Sequence, residues 1–463
     1  MMQPSPIRPE PLVIQIERDM RLRIERGELG AGLRLPSIRQ LAADLAVSRN
    51  TVIEVYERLR ALGLVRARQG SGYFVQDALR DTGQGGSSNP RNAEDVTDKL
   101  WHLFNAPADT VKLGCGWLPE AWREPEATAV AIRHVTRRDR QALFDYSTPL
   151  GSPKLRGLLQ QRLGGLGICV DPSRIVLTTG ASHGLDLLIR YLLKPGDEVL
   201  VESPGYYNLF GLLKLQDIKM LEVARTAQGP DLEELERVLA RHRPKVFFIN
   251  SVFHNPTGST LSAATAHRIL QLAERYDFLI VEDDIYSDMQ IESGVRLATL
   301  DQLKRVIYLG SFSKTLSCSL RVGYIAATPA IIRNLVDIKM LTSIASSRFA
   351  EEVVATMVEN GSYRKLVDRL GARLERQQVA VQKMMRSAGW EIFGQPRGGM
   401  FVWARRAGVP DSTPLVEAAA RHRVSLSAGT IFTPGLSECP WLRINVSYAT
   451  EPGALAFLAN PSR

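Results

Sequence analysis

The nine residues Thr82-Gly83-Gln84-Gly85-Gly86-Ser87-Ser88-Asn89-Pro90 offer no large apolar side chain and no periodicity. Such a stretch cannot contribute to a packed core, so it divides the chain into bodies that each bury their own apolar surface. It lies within residues 77–105, which read as a flexible linker between residues 1–76 and residues 106–463. At 463 residues the chain is in any case too long for one small core.

The first body reads as three helices and a hairpin. Leu12, Ile16, Met20 and Ile24 recur at helical spacing on one face, and Gly27 and Gly30 end that helix. Ser37, with Gln40 three residues on, forms a capping box that opens a second helix running to about Leu45. After a tight turn at Ala46-Val47, Ser48 caps a third helix from Arg49 to about Leu62, with Val52, Val55, Leu59 and Leu62 facing inward. Leu64–Arg68 and Tyr73–Val75 flank Gln69-Gly70-Ser71-Gly72 as a β-hairpin. The sum is a winged helix-turn-helix. Residues 1–76 hold twelve arginines, no lysine and eight acids, a surplus of four positive charges. An all-arginine set suits phosphate and base-edge contacts. A helix-turn-helix presents the first residues of its reading helix to base edges, which here selects Ser48, Arg49, Asn50 and Thr51. Arginine pairs with guanine and asparagine with adenine in two-pronged fashion. Arg39 is placed for a phosphate or a base, and Gly70 lies at a wing tip narrow enough for a minor groove. The expected partner is a double-stranded DNA operator.

The second body alternates strands and helices, which predicts a mostly parallel sheet covered by helices. Strands are expected at Arg174–Thr178, Glu198–Glu202, Val246–Asn250, Phe278–Glu282 and Val306–Leu309, with helices such as His183–Leu193 and Leu232–Arg241 between them. Residues from about 360 to 463 read as a smaller α+β part, with short strands near Gly399–Trp403 and Leu442–Val446.

Five separated motifs in this body converge on one chemistry. Thr178-Thr179-Gly180-Ala181-Ser182-His183-Gly184 joins a strand to a helix, whose N-terminus can hold a phosphate. Tyr206 stands at a strand end, where its ring could stack on a flat cofactor. Asn255, in Asn255-Pro256-Thr257-Gly258, is placed to donate to a phenolic oxygen. Of the acidic run Glu282-Asp283-Asp284, Asp283 is the candidate to keep a pyridine nitrogen protonated, because Tyr286 can then reach the same phenolic oxygen. Asp284 faces the other side of the strand. Ser311-Phe312-Ser313-Lys314, with Arg321 seven residues on, supplies an aldimine-forming lysine and ligands for the phosphate of pyridoxal phosphate. Arg443, on a strand, can take an α-carboxylate in a two-pronged pair.

Residues 12–76 resemble the GntR-type winged helix, and residues from about 106 to 463 resemble the fold type I aminotransferases. That resemblance implies Lys314 as the Schiff-base lysine, Asp283 on the ring nitrogen, Asn255 and Tyr286 on the phenolic oxygen, and Tyr206 stacking. It also implies Ala181, Ser182, Ser311 and Arg321 on the phosphate, and Arg443 on the substrate carboxylate. Asp145–Gly151 matches the segment whose tyrosine, here Tyr146, reaches the phosphate of the partner subunit, so a homodimer is implied. Cys318-Ser319 stand where many relatives carry Pro-Gly, but the spacing to Arg321 is kept. A GntR-type head on such a body is the architecture of the MocR-type transcriptional regulators. It implies a regulator that senses a small amino compound, or pyridoxal phosphate itself, with little or no full transamination. A working aminotransferase with a DNA-binding head is the alternative. Asn208, two residues beyond Tyr206, is uncharged, which favours a mono-carboxylate ligand or the cofactor.

The four cysteines lie far apart with no metal-ligand spacing, so they read as reduced thiols and no metal is expected. No apolar run reaches the roughly 18 residues of a membrane span. The N-terminus lacks signal-peptide features, and the cytoplasm is the expected compartment.

Overall fold

The computed structural model describes residues 12–25, 28–30, 32–61, 64–68, 72–75, 105, 107, 109–290 and 294–460. The linker expected over 77–105 lies, Asn105 apart, outside them, as do Gly70 and Leu62. The chain divides into two compact units, Met1–Pro90 and Arg91–Arg463.

In the first unit, helices Leu12–Glu25, Ile38–Asp44 and Arg49–Ala61 precede an antiparallel hairpin of β1 (Val65–Arg68) and β2 (Gly72–Val75). Met20, Ile24, Leu41, Val52, Val55, Tyr56 and Leu59 close its core with Val65 and Val75. Leu12, expected on the inward face, is exposed; as the helix's first residue it has no preceding turn to bring neighbours alongside. The capping box is half made. Ser37 accepts from the Gln40 backbone N–H at 3.2 Å, but the Gln40 amide donates to Asp44 at 2.7 Å, a carboxylate one turn on that outcompetes the return bond.

The second unit is built on an eight-stranded sheet: β3 (Ile175–Thr178), β4 (Glu198–Ser203), β5 (Lys219–Thr226), β6 (Gly229–Pro230), β7 (Val246–Ile249), β8 (Leu279–Asp283), β9 (Val306–Ser311) and β10 (Gly323–Ala326). Their spatial order is β3-β10-β9-β8-β7-β4-β5-β6. From β9 to β5 neighbours run parallel. Val246-Phe247-Phe248-Ile249 shows why: a run apolar at every position forms a strand buried on both faces, and all four residues are buried. The sequence-expected strands are all present, with ends shifted by one or two residues. β5, β6 and β10 are additions, β10 running antiparallel to both β3 and β9.

The long helix Ser362–Ser387 leads into an antiparallel sheet of order β11-β12-β14-β13, from Trp390–Ile392, Phe401–Arg406, Ser427–Ala428 and Trp441–Asn445. Near the start of the unit the chain runs beside this sheet: Val111 bridges Val424, and Gly114 N–H donates to Ser425 at 2.8 Å. Among the described residues no helix is long and apolar enough to cross a membrane.

Candidate functional site

Parallel strands bring their carboxyl ends to one edge of the sheet, where ligands of such sheets gather. Thr179 follows β3, Tyr206 follows β4, Asn255 follows β7, Asp283 ends β8, and Lys314 follows β9. β10 runs the other way, so its beginning lies at that same edge. Gly323 stands opposite both Thr178 and Ser311, which places Arg321 between the β3 turn and the lysine loop.

The phosphate-type end is assembled there. Arg321 Nη2 is 3.4 Å from the Thr179 carbonyl, and Nη1 is 3.3 Å from the Ser313 hydroxyl. Arg321 itself takes a φ of +53°, a left-handed conformation that disfavours a side-chain-bearing residue by about 1–2 kcal/mol. Beside it, helix Gly180–Leu192 begins with Gly180 at φ +76°. A Cβ on Gly180 would lie 2.4 Å from Arg321 Nη2, so only glycine leaves this cradle open. Ala181 and Ser182 are in the helix's first turn, and the Ser182 hydroxyl bonds the Tyr206 phenol. Ser311, expected as a ligand, instead donates to the Val322 carbonyl at 3.2 Å and accepts from Ser313 N–H at 3.2 Å. Ser313 meets Arg321; the two serines alternate along one turn, and pairing with β10 sets which of them faces the arginine in the ligand-free site.

At the other end, the Lys314 ammonium donates to the Gly116 carbonyl at 2.7 Å and lies 5.9 Å from the Tyr286 ring centre. Burial lowers its pKa; the Cys318 thiol opposes that and Arg443 reinforces it. A lowered amine pKa raises the fraction of neutral nucleophile. Arg443, on β14 and fully buried, donates to Asn255 Oδ1 at 2.8 Å and to the Gly114 carbonyl at 2.7 Å. Its Nε is buried with no hydrogen-bond partner among the described residues, the donor a carboxylate would use. With Asn255 Oδ1 occupied by the guanidinium, the Asn255 amide nitrogen is the group left to donate. Tyr206, Asn255, Asp283 and Tyr286 line one cleft.

Asn250 is an organiser the sequence analysis did not single out. Its side chain accepts from Asn255 N–H at 2.8 Å and donates to the Asp283 carbonyl at 2.7 Å. Its own N–H donates to buried Glu202 at 2.9 Å. An amide at the end of a buried strand was the available signal. Asp284 lies on the opposite face, as expected, paired with Arg296 at 2.6 Å and bonded by the Tyr308 hydroxyl at 2.7 Å. Tyr146 lies outside the cleft of its own chain, 76% exposed.

Burial pushes the Asp283 carboxyl up to about 7, with the Ile285 N–H opposing and the Asp284 charge adding. A carboxyl raised in the folded state makes the ligand-free protein gain stability as pH falls from about 7 towards its unfolded value near 4. Asp283→Asn is therefore expected to raise ligand-free stability at pH 8 by on the order of 4 kcal/mol and hardly at pH 4. Denaturant melts at both pH values check this, and a gap independent of pH would contradict it.

In the first unit, Arg39, Arg49 and Asn50 are exposed. Ser48 and Thr51 serve the cap: their hydroxyls are 2.8 Å apart, and Ser48 accepts Thr51 N–H at 3.1 Å. Further along this helix, Arg58 pairs with Glu54 and Arg60 with Glu57, which leaves Arg49 and Asn50 as its forward polar face.

Two family profiles match the chain: aminotransferase class I and II over residues 108–456, and bacterial regulatory proteins of the gntR family over residues 12–75. The HTH-type transcriptional regulator YdfD of Bacillus subtilis is 28% identical across 94% of this chain and 92% of its own length. The 2-aminoadipate transaminase of Thermus thermophilus is 31% identical across 72% of this chain and 83% of its own. Among solved structures, the α-aminoadipate aminotransferase LysN of Thermus thermophilus, complexed with N-(5'-phosphopyridoxyl)-L-leucine, superposes with a TM-score of 0.71 at 27% identity, covering 78% of this chain and 93% of LysN.

Proposed function

The chain belongs to the aminotransferase class I and II family and carries a gntR-family head, and from that premise we propose that it is a pyridoxal-phosphate-dependent, DNA-binding transcriptional regulator of MocR type. The observation that carries this reading is the joining, in one chain, of a reading helix with Arg49 and Asn50 exposed to a cleft lined by Asp283, Asn255 and Tyr286, with Arg443 bonded to Asn255 and Lys314 beside the Tyr286 ring. The full-length likeness to a protein named as a regulator supports it.

The residues present fit the cofactor: an open glycine cradle beside Arg321, a half-buried carboxyl on β8 with a raised pKa, and an arginine whose Nε has no partner among the described residues. When bound, pyridoxal phosphate supplies an aldehyde that condenses with primary amines and a ring that withdraws electrons. Lys314 would supply the amine for attachment, its pKa lowered by burial. Asp283 holds the proton at the ring nitrogen, and Asn255 with Tyr286 holds the phenolic oxygen. Arg321, Ser313 and the first-turn N–H groups of Ala181 and Ser182 hold the phosphate; Ser311 keeps Ser313 in place. Tyr206 packs on the ring, its hydroxyl tethered by the Asn208 amide at 3.0 Å. Arg443 takes the carboxylate of an amino compound. With Asn208 bound to Tyr206, no cation is supplied there for a second carboxylate, which favours a mono-carboxylate effector. Tyr146, exposed on each copy, completes the partner's phosphate site in a homodimer.

Titration of a footprint on DNA flanking the protein's own gene, with and without pyridoxal phosphate and amino compounds, tests the regulatory reading. Sustained transamination at roughly 1 per second or above, with no effect of these ligands on the footprint, would favour an ordinary enzyme instead. Arg49→Ala should weaken specific operator binding by about 1–3 kcal/mol while cofactor binding stays unchanged. An unaltered operator affinity in gel-shift titration would remove this helix as the reader.

A further inference from the structure

Lys339 and Glu351 are both completely buried, and neither faces the cleft described above. Lys339 lies on helix Pro329–Thr342 and Glu351 on helix Arg348–Glu359. The Lys339 ammonium donates to the carbonyls of Pro149 at 2.9 Å and Leu177 at 2.8 Å, and to the Ser346 hydroxyl at 3.0 Å. The Ser346 hydroxyl donates in turn to Glu351 Oε1 at 2.5 Å. The other carboxylate oxygen of Glu351 accepts from the Ser147 hydroxyl and from Ser152 N–H, the latter at 2.9 Å. All three donors of the ammonium are therefore used, and both oxygens of the carboxylate.

Two buried charges of opposite sign could have met directly. Here a serine stands between them, and of their other bonds those to Pro149, Ser147 and Ser152 hold residues 147–152, while the one to the Leu177 carbonyl ties that stretch to β3. Gly151 adds to this restraint: its φ is +95°, and a Cβ there would lie within 2.4 Å of the Leu177 side chain. Arg348 meets Asp145 at 3.8 Å on the other side. Between Asp145 and Ser147, both held, sits Tyr146, which is 76% exposed. A bulky phenol is thus held out from a backbone that has almost no freedom of its own. Desolvating an ammonium and a carboxylate for this purpose is costly unless every valence is satisfied, and that cost is unexplained by packing alone.

We infer that Lys339, Ser346 and Glu351 form a brace whose role is to aim Tyr146 into the phosphate site of a second copy of the chain. They are positioning residues, since none of them touches the cofactor site. The inference rests on the two-copy reading of Tyr146 given above. A segment already ordered before the partner arrives loses little conformational freedom on meeting the phosphate, so the brace acts by preorganisation.

Full-length protein and pyridoxal phosphate provide the test, read as the dissociation constant from the bound chromophore and as the mass of the assembly. Tyr146→Phe and Ser346→Ala should each weaken cofactor retention about tenfold with the dimer intact. The double variant should be no weaker than Tyr146→Phe alone, because the brace acts only through that phenol. Losses that multiply would make Ser346 merely structural and would overturn the inference. Lys339→Met gives a stronger version of the same experiment; Ser346→Ala, which removes one hydroxyl, covers the case in which Lys339→Met does not fold. Mixed dimers separate this inference from the reading beneath it. One subunit carries Lys314→Ala, and the only covalent site is the other subunit's Lys314. Ser346→Ala on the Lys314→Ala subunit should weaken that site, and the same change on the Lys314-bearing subunit should not. The reverse pattern overturns the brace while leaving the dimer. A Tyr146→Phe variant that binds cofactor normally in every arrangement overturns the shared site, and the brace with it.

Discussion

Lys314→Ala is expected to abolish covalent retention of pyridoxal phosphate altogether. Borohydride treatment of the wild-type holo-protein should fix the cofactor to a single peptide containing Lys314, and in the variant to none. The size of the effect follows from the site. Lys314 is the lysine at the cleft, 2.7 Å from the Gly116 carbonyl and beside the Tyr286 ring, with its amine pKa lowered by burial. Lys339, fully buried, is committed to Pro149, Leu177 and Ser346. Cofactor fixed on Lys339, or on any surface lysine, would overturn the assignment. The variant should still bind the cofactor weakly through the Arg321 cradle and Asp283, visible by equilibrium dialysis.

Arg443→Leu carries the second large effect. It should weaken the response to α-amino acids by about 3 kcal/mol, roughly a hundredfold, because a buried two-pronged pair to a carboxylate is lost. The response to simple alkylamines, which lack the carboxylate, should change little. Spectral titration of the holo-protein with an amino acid and with the matching amine separates the two. An equal loss for both would mean that Arg443 serves to hold Asn255 and Gly114 in place and does not read the effector. That outcome is chemically distinct, since Asn255 Oδ1 and the Gly114 carbonyl each lose a donor in the variant.

Much of this is legible in the amino-acid sequence alone. Helix Leu232–Arg241 was placed to the residue because an aspartate cap and a strong apolar stripe define it at both ends. Buried strands such as Val246–Ile249 announce themselves by unbroken apolar runs. β10 did not, since Gly323-Tyr324-Ile325-Ala326 is short and nothing local dictates that it insert between β3 and β9. That Ser313 meets Arg321 is hidden in the same way, because it follows from the register to β10. Lys339 was equally hidden. In the sequence it is an ordinary basic residue near a helix C-terminus; its burial is created by carbonyls of Pro149 and Leu177, which only the tertiary fold brings near. Asn250 was passed over for the same reason, as its partners Asn255, Asp283 and Glu202 come from three separate strand ends.

The place of β3 at the rim of the large sheet has a consequence for the nascent chain. Among the described residues its one neighbour in the sheet is β10, with Ile175 opposite Ala326. While the chain emerges from a ribosome, everything between those strands must be made before the turn at Thr179-Gly180 has a sheet to belong to. The N-terminal head, whose hairpin and helices lie within the first 75 residues, meets no such delay. Of the two bodies, synthesis then completes the gntR-family head before the aminotransferase-like one. A chain cut short before β10 would present a head without a cofactor site to regulate it.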